Sequence, residues 1–364
     1  MYNWQHKDWA GFSYKSLNID ELNDKVKNFS DEVQRILTDA DGIKNEEGMV
    51  RFLIDEAQKT SEIEGEYISR EDLMSSVKNK LGISPNPAEV KDKRANAIAA
   101  MLLDVRHSYK RKLTEATLKN WHKLLLGDSK TVRAGKYRKA DFPMQVVSGI
   151  PGRETVHFEA PPSEQVPQEM KQFVAWYNQF ETPTPAQALI KTAVTHLYFE
   201  SIHPFEDGNG RIGRALAEKC LAQSFGKPVF FGISGIIEKN KKLYYNSLKT
   251  AQRTLEISEW IAYFIDVILE AKSKAVKMVR FSLQKTVFFD IYGDVLNQRQ
   301  LKAINKMFDA GYMGFEGGMT TKKYIGITRA SKATSTRDLQ HLSEIGALRS
   351  FGKGRNVHYF LNCD

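Results

Sequence analysis

One short stretch of the sequence brings together side chains that could act on a phosphate ester. It runs from His203 to Arg214 and reads His-Pro-Phe-Glu-Asp-Gly-Asn-Gly-Arg-Ile-Gly-Arg. His203 could serve as a general base, and Asp207 offers the hard oxygens that Mg²⁺ accepts beside substrate phosphates. Arg211 and Arg214 lie three positions apart, so on a helix they share one face, and their planar guanidinium groups suit phosphate oxygens. The stretch therefore predicts a site that grips a metal-bound polyphosphate and deprotonates a nucleophile beside it.

Two predicted helices hold this stretch at their junction. Apolar residues recur at helical spacing over 185–201, and Pro204 predicts that this helix ends at or near His203. A second helix is predicted around Ile212 and the small apolar residues that follow it. Between the two helices, the Gly208–Gly210 loop leaves backbone N–H groups uncovered at a helix N-terminus, which favours a bound anion.

Structural interpretations of the same residues carry less weight than the combined pattern. A single histidine before a helix break is usually structural, and a Gly-Asn-Gly sequence is most often only a turn. The spacing of Gly208, Gly210 and Gly213 also fits the dinucleotide fingerprint, but that motif follows a strand, and a helix is predicted here. The occurrence of every member at fixed spacing favours catalysis.

The stretch resembles the signature of the Fic family, His-x-Phe-x-Asp/Glu-Gly-Asn-Gly-Arg-x-x-Arg, at essentially every diagnostic position. Fic enzymes typically transfer AMP from ATP to a protein hydroxyl. The resemblance implies that His203 is the base for a Ser, Thr or Tyr hydroxyl of a target protein, or of the chain itself, and that Asp207 is the Mg²⁺ ligand. It assigns the binding of ATP and its phosphates to Gly208, Asn209, Gly210, Arg211, Ile212, Gly213 and Arg214.

Two further assignments rest on the same resemblance. Doc-type relatives carry a lysine at the position of Gly210 and act as kinases, so the glycine favours AMP transfer, with Doc-like phosphotransfer as an alternative. A helix predicted over 239–254 would border the adenine site. Asn246 on that helix is the expected nucleotide contact.

A second motif far upstream predicts regulation. Thr60, Glu64 and Gly65 match the inhibitory motif of the family, Ser/Thr-x-x-x-Glu-Gly/Asn, at the end of a helical pattern. In relatives this glutamate pairs with the second arginine of the active-site motif, which is Arg214 here. Taken alone, Glu64 would be assigned to the solvated surface. Beside the complete active-site motif, it predicts an enzyme that inhibits itself by occupying the arginine that the γ-phosphate of ATP needs.

Composition and patterning indicate a globular, mainly helical chain. A length of 364 residues suggests about two or three domains. Helices are predicted at about 18–42, 46–63, 70–82, 86–109 and 114–127, and two more between 257 and 295. Segments at 145–147 and 155–158 flank a turn and predict a β-hairpin. In Fic proteins the hairpin at this position, the flap, holds the target segment by strand addition.

The expected architecture is a Fic-type helical bundle with this short hairpin flap. It comprises an N-terminal helical region over 1–100 that carries the inhibitory motif, and a catalytic core over 101–296. No signal peptide or membrane-spanning stretch is recognised, and Cys220 and Cys363 lack disulfide or metal-site spacing. A cytoplasmic protein is therefore expected, with no membrane contact and with a homodimer left open.

Residues 297–364 are predicted to form a separate, basic module. They hold 11 Lys/Arg and 5 Asp/Glu, a net charge of +6, against +3 for the first 296 residues. Predicted helices, one starting at a capping box at Ser335, and a basic hairpin resemble a winged helix-turn-helix domain. This would place Ser331, Thr334, Arg337 and Gln340 near a recognition face, and Lys353 and Arg355 in the wing.

The basic charge of this module is consistent with DNA, but winged helices also dock proteins or form dimers. Two classes of function therefore compete. The first is an AMP transferase whose C-terminal module positions targets or controls assembly. The second is a DNA-binding regulator in which the Fic core senses a nucleotide, although such a sensor would not need His203 and Asp207.

Overall fold

A computed structural model describes residues 1–29, 31–32, 46–83, 86–140, 142–148, 153, 155–227 and 231–363. The side chains of residues 46–49, of Ser148 and of Arg355 also fall outside the described part. The chain divides into two compact units, of which one comprises Met1–Leu37 with Met49–Ser273 and the other Thr38–Gly48 with Lys274–Asp364. The domain limits predicted above at 100 and 296 stay predictions.

The described residues form fourteen α-helices and two short antiparallel hairpins. The helices are α1 (Ile19–Val26), α2 (Glu46–Ile63), α3 (Arg70–Leu81), α4 (Lys93–His107), α5 (Glu115–Leu126), α6 (Val166–Gln179), α7 (Pro185–Ile202), α8 (Asn209–Ser224), α9 (Ile233–Lys239), α10 (Lys241–Ala251), α11 (Ser258–Tyr292), α12 (Gln298–Asp309), α13 (Thr321–Thr328) and α14 (Lys332–Glu344). The strands are β1 (Gln145–Ser148), β2 (Thr155–Glu159), β3 (Leu348–Phe351) and β4 (His358–Leu361). Among the described residues, no helix is long and apolar enough to cross a membrane.

Helix α7 is the central element of the first unit. Thr184 caps its N-terminus in a capping box with Gln187, and almost every residue from Ala186 to Ile202 is buried. The helix ends at Ile202, as predicted, because Pro204 cannot continue it and His203 leaves the helical conformation with a φ of +50°. The catalytic candidates therefore begin where the most buried helix stops.

The hydrophobic core of this unit is built from α2 to α8. Its largest fully buried side chains include Trp121, Phe173, Phe199 and Phe205. Burying a side chain of this kind stabilises a fold by about 1.5–3 kcal/mol. Because the core surrounds the junction of α7 and α8, the loop between these helices packs against buried side chains.

The predicted hairpin is present as the antiparallel pair β1 and β2. Gln145 pairs with Glu159 and Ser148 with Thr155, and the register shifts between Val146 and Val147, as expected of a β-bulge. The sequence predicts the connecting turn at 148–152, but Ser148 is the last residue of β1. Residues 149–152 and 154 lie outside the described residues.

Three predicted helices have other limits in the structure. The helix predicted from residue 86 begins at Lys93, because Pro87 precedes it and Asp92 caps it by accepting a bond from the Arg94 N–H at 3.0 Å. The helix predicted over 18–42 ends at Val26, where Lys27 N–H bonds to Asp24 O in 3₁₀ fashion. The part of that range from residue 33 on lies outside the described residues. In place of two helices between 257 and 295 there is one, α11, since its sequence contains no glycine or proline.

The second unit contains α12, α13, α14 and the β3–β4 hairpin around its own apolar core. Asp338 joins these helices, because it accepts bonds from Arg299 Nε and Tyr324 OH, both at 2.9 Å. The predicted capping box at Ser335 is wrong. Helix α14 is capped by Ser331, which follows the left-handed Arg329 (φ +62°), and Ser335 is buried inside the helix.

Candidate active site

The loop between α7 and α8 holds His203 in an uncommon backbone conformation. Its φ of +50° lies in the left-handed region, which is rare for residues other than glycine and is found at functional sites. The His203 N–H still bonds to Phe199 O at 3.0 Å. Gly208, with a φ of +78°, closes the other end of the loop and starts α8. The imidazole is thereby turned out of the helix toward the start of the next one.

Asn209 and Phe205 make this loop rigid. The side chain of Asn209 accepts a bond from Phe205 N–H at 3.0 Å and donates one to Phe205 O at 2.8 Å. The Phe205 ring is fully buried and stacks on His122 at a centroid distance of 4.1 Å. Asn209 is predicted to be part of an anion site. Its side chain holds the loop, and its backbone N–H remains for a ligand.

The start of α8 has the geometry of an anion site. The first bond back into the helix is from Ile212 N–H to Gly208 O at 3.0 Å. The preceding N–H groups have no partner within an α-helix, and a helix dipole makes this end electropositive. Ile212 itself is fully buried. Gly213 lies where a Cβ would overlap Glu200 Oε1, so these two residues serve the close packing of α7 and α8.

The surroundings of His203 lower the pKa of its imidazole. Burial and then the charge of Arg138 lower the pKa of His203 to about 4. The ring is 14% exposed, and its Nδ1 lies 3.8 Å from Glu200 Oε2. Burial raises the pKa of Glu200 to about 8. At neutral pH the imidazole is therefore uncharged and able to accept a proton.

We expect the His203 imidazole to stay neutral as the pH is lowered through 6, with a midpoint near 4. Histidine ring resonances followed by NMR between pH 7.5 and 4 measure this directly. Because the unfolded chain binds this proton at an ordinary pKa of about 6.5 and the folded chain does not, the free energy of unfolding should fall as the pH drops from 6.5 toward 4. A His203 midpoint near 6.5 would contradict this assignment.

The predicted metal ligand and the first arginine are also at this helix start. Asp207 is 55% exposed and accepts a bond from the Gly208 N–H at 2.6 Å. Arg211 NH2 lies 3.3 Å from Asp207 Oδ2, and Arg211 NH1 donates to Glu66 Oε1 at 2.7 Å. The carboxylate of Asp207 thus faces solvent beside the anion site, while Arg211 is paired with an acid from another segment.

Arg214 and Glu64 form an ion pair, as the inhibitory motif predicted. Arg214 is buried, and its NH2 donates to Glu64 Oε1 at 2.7 Å and to Thr60 O at 2.9 Å. Its Nε donates to Thr60 Oγ1 at 2.8 Å. Burial alone would raise the pKa of Glu64, but the Arg214 guanidinium holds it below its ordinary value. The Glu64 carboxylate is therefore ionised. Of the upstream motif, Thr60 and Glu64 contact Arg214.

The turn after α2 explains how both arginines acquire acidic partners. Gly65 has a φ of +80°, the usual conformation for a glycine that ends a helix, and Glu66 N–H returns to Ser61 O at 3.0 Å. This turn presents Glu64 and Glu66 one after the other. Gly210 completes the fit, because a Cβ at that position would overlap Glu64 Oε1.

Asn246, the predicted nucleotide contact, stays a prediction. It is exposed on α10, and among the hydrogen bonds of the described residues none joins it to 203–214. Its neighbour Tyr244 is buried, with its OH 2.8 Å from His196 Nε2, while Lys241 donates to Ile63 O at the end of α2. Helix α10 therefore lies next to the turn after α2, which carries Glu64.

Sequence reasoning missed three contributors to the site. Arg138 contacts the backbone of His203 from 65 residues away. Glu66 lies one residue beyond the inhibitory motif, and a search for an acidic partner of Arg211 could have found it. The N-terminal segment also reaches the site, because Asn3 Nδ2 donates to Ser201 Oγ at 2.8 Å, and the neighbouring tryptophan Nε1 donates to the O of Glu159 at the end of β2 at 2.6 Å.

Comparison with known proteins gives the class of protein that this fold and site define. Residues 112–221 match the Fic/DOC family, and residues 2–83 match a domain of unknown function, DUF4172. A Fido domain-containing protein of Dictyostelium discoideum is 33% identical over 114 residues, which cover 31% of this chain and 76% of that protein. The chain belongs to the Fic/Fido family.

Relatives in this family carry the name protein adenylyltransferase. A probable protein adenylyltransferase of Aquifex aeolicus is 28% identical over 159 residues, covering 44% of this chain and 40% of that protein. The protein adenylyltransferase fic-1 of Caenorhabditis elegans is 31% identical over 130 residues, covering 36% of this chain and 22% of that protein. The chain thus matches less than half the length of either relative.

Solved structures share the fold. A Fic family protein of Desulfovibrio desulfuricans G20 superposes with a TM-score of 0.54 at 18% identity, over 92% of this chain and 95% of that one. Fic-1 of C. elegans gives a TM-score of 0.51 at 20% identity, over 72% and 73%. At these identities the likeness concerns the helical Fic fold.

Proposed function

We propose that this protein is a protein adenylyltransferase that moves AMP from ATP to a hydroxyl side chain of a target protein, or of itself. The observation that supports this most is the junction of α7 and α8, where His203 leaves the first helix with a φ of +50° and the N–H groups of Asn209–Arg211 begin the second one. One loop thus offers a proton acceptor and an anion site. The relatives named protein adenylyltransferase support the same class of reaction.

In the proposed reaction the target hydroxyl oxygen attacks the α-phosphorus of ATP while His203 takes its proton. The new bond joins that oxygen to the α-phosphorus, the bond from the α-phosphorus to the bridging oxygen breaks, and pyrophosphate leaves. The N–H groups of Asn209, Gly210 and Arg211 would stabilise the charge that develops on the phosphate oxygens. Arg214 would bind the γ-phosphate, and Asn246 is retained as the nucleotide contact.

Asp207 is a suitable ligand for Mg²⁺. Its carboxylate is solvent-exposed and lies beside the proposed phosphate site, and Mg²⁺ in nucleotide sites is commonly bound through one or two carboxylates and the phosphates themselves. Bound Mg²⁺ would offset the negative charge of the polyphosphate. The Gly208 N–H bond at 2.6 Å holds the carboxylate in this position.

Asp207→Ala should abolish Mg²⁺-dependent transfer, and it should weaken productive Mg·ATP binding by about tenfold or more, the effect of losing one charged interaction. Initial rates across a Mg²⁺ titration at fixed ATP measure this. Asp207→Asn keeps the acceptor for Gly208 N–H and separates loop geometry from charge, and the exposed Asp128 provides a matched control in Asp128→Asn. If Asp207→Ala titrates like the parent, the proposed metal ligand is wrong.

ATP labelled at the α- or the γ-phosphate distinguishes the proposed activity from its alternatives. Retention of the α-label on protein supports AMP transfer. Retention of only the γ-label indicates a Doc-like phosphotransferase, and absence of both labels with ATP still bound favours a nucleotide sensor. Native lysate as the source of targets makes the same experiment report on the acceptor protein.

The inhibitory state is also part of this proposal. Arg214 Nε and NH2 donate to Thr60 and Glu64, so the guanidinium proposed for the γ-phosphate is already paired. Arg211 is likewise paired with Glu66. In this state ATP would bind without its γ-phosphate on Arg214, and the α-phosphate would not be in line with the hydroxyl.

The β1–β2 hairpin is proposed as the element that holds the target segment. Val147 and Val156 are exposed apolar side chains on its two strands, and an extended segment can add to the outer edge of β1. Cytoplasmic placement is proposed on the free thiols of Cys220 and Cys363. A homodimer remains part of the proposal.

For the second unit we propose a winged-helix role in binding DNA, with protein docking as the alternative. The support is the net charge of +6 over 297–364 and the exposure of Ser331, Arg337 and Gln340 on or beside α14 and of Lys353 after β3, with Thr334 partly exposed. The side chain of Arg355, also predicted for the wing, lies outside the described residues.

Any affinity for duplex DNA should fall steeply with added salt, because phosphate contacts release counterions. The triple variant Lys332→Ala, Arg337→Ala, Lys353→Ala should bind more weakly and lower the salt slope by about one for each lost phosphate contact. Fluorescence anisotropy at several salt concentrations measures both. A triple variant with the same change in charge, Lys277→Ala, Lys302→Ala, Lys306→Ala, is the control. If the protein does not bind DNA even at low salt, protein docking becomes the proposed role of this unit.

A further inference from the structure

An arginine outside both motifs holds the backbone of the base. Arg138 is 3% exposed, and its side chain donates four hydrogen bonds. The acceptors are His203 O at 2.7 Å, Pro161 O at 2.5 Å, Ser163 Oγ at 3.1 Å and Ile202 O at 3.3 Å. The backbone N–H of Arg138 adds a bond to Pro204 O at 2.9 Å.

Three of these acceptors are the backbone carbonyls of Ile202, His203 and Pro204, at the end of α7, where the helix itself supplies no hydrogen-bond donor. The last carbonyls of a helix have no partner within it, and a cation at this end also complements the helix dipole. The guanidinium fork spans the successive carbonyls of Ile202 and His203. These bonds fix the peptide planes on both sides of the His203 Cα, and so they hold the left-handed φ of +50° that directs the imidazole.

The remaining acceptors belong to the exit of the β1–β2 hairpin. Pro161 and Ser163 follow β2 directly, and Ala160 N–H still bonds to Met144 O at 2.9 Å across the base of the hairpin. Ser163 Oγ also accepts from the Ala140 N–H at 3.2 Å. A single side chain therefore joins the backbone of the base to the end of the strand pair.

Arg138 also belongs to the charges that face the His203 ring. Burial lowers the pKa of Arg138 to about 10, so it stays protonated at neutral pH. Its charge lowers the pKa of His203, whereas the Glu200 backbone carbonyl and the Glu64 and Asp207 carboxylates act in the opposite direction. Removal of this cation should therefore be visible in the titration of the ring.

We propose that Arg138 is a positioning residue that sets the orientation of His203 and ties it to the exit of the β1–β2 hairpin. The base and a target segment held by the hairpin then keep a constant relation to each other. The catalytic part of this inference rests on the proposed AMP transfer, whereas the link between Arg138 and the state of the His203 ring does not.

The test compares Arg138→Met and Arg138→Lys in the full chain that also carries Glu64→Gly. Arg138→Met should lower kcat by about 10- to 100-fold, as small misplacements of a catalytic group do, with the KM for ATP changed less than about twofold because no phosphate ligand is touched. Arg138→Lys keeps the charge and loses the fork, so kcat should fall while the midpoint of His203 stays low. In Arg138→Met the midpoint should rise above that of the Glu64→Gly parent, toward its ordinary value, because the cation that lowers the pKa of His203 is gone.

Arg94→Met is the matched control, because Arg94 is exposed and pairs with Asp92 within its own turn. Ser163→Ala removes one acceptor and should give an effect of a few-fold in kcat. The proposal is overturned if Arg138→Met and Arg138→Lys both leave kcat within twofold of the parent, or if the His203 titration is the same in all variants. Should Arg138→Met fail to fold, the kcat values of Arg138→Lys and Ser163→Ala decide. If the parent shows no AMP transfer, the titration of the His203 ring alone decides. A failure of the proposed function is then distinguished from a failure of this inference.

Discussion

Glu64→Gly should convert a poor enzyme into an active one. The carboxylate lies 2.7 Å from the buried Arg214 guanidinium, and a charge-assisted bond of this kind contributes about 1.5–3 kcal/mol. Its removal frees Arg214 for the γ-phosphate of ATP, which lets the α-phosphate turn in line with a hydroxyl beside His203. We therefore expect incorporation of α-labelled ATP to rise by at least about tenfold, including self-modification.

Two further variants make this result specific. Glu64→Gly combined with Arg214→Ala should fall back, because the freed guanidinium is then absent. Glu62→Ala removes a nearby acid that pairs with Lys59 and not with Arg214, and it should leave the rate near that of wild type. Glu64 is not the brake if the single variant is no more active than wild type.

Mild acid should not imitate this mutation. The pKa of the folded Glu64 lies below its ordinary value, so the ion pair is complete above the ordinary carboxyl range. It is lost only as the pH falls through the lowered folded value. Between pH 5 and 8 wild-type protein should therefore stay inhibited.

His203→Ala, in the Glu64→Gly background, should remove transfer and leave ATP binding nearly intact. The imidazole acts on the hydroxyl and not on the phosphates, and general base catalysis contributes about 10²–10⁴-fold. Single-turnover transfer of α-label and calorimetric titration with ATP measure the two effects separately. His107→Ala is the control, because His107 is exposed at the end of α4. Transfer within a few-fold of the parent by a folded variant would refute the role of His203.

Local sequence predicted the parts of this site that depend on neighbours in the chain. Pro204 predicted the end of α7, and the glycines of 208–213 predicted a close, positively charged helix start. The Glu64–Arg214 contact spans 150 residues and was predicted only because a family motif connects the two positions. Where no motif exists, as for Arg138, spacing along the chain carries no information about a partner 65 residues away.

The errors in helix limits have local physical causes. The sequence predicts a capping box at Ser335 because serine is a common N-cap residue. Ser331, four residues earlier, makes the capping bond instead, since its Oγ accepts from Thr334 N–H at 3.2 Å. Either serine satisfies the cap rule, and the left-handed Arg329 decides between them. Within 257–295 the apolar pattern was divided in two, although without glycine or proline nothing in it interrupts a helix.

Glu64 and Arg214 are parts of one chain. Their contact is intramolecular, so its strength does not change when the protein is diluted. Any activating ligand or partner must compete with this tethered carboxylate or move the end of α2. Inhibition that rests on this contact alone should therefore have the same strength at nanomolar and at micromolar protein, whereas inhibition that depends on a second copy of the chain would weaken on dilution.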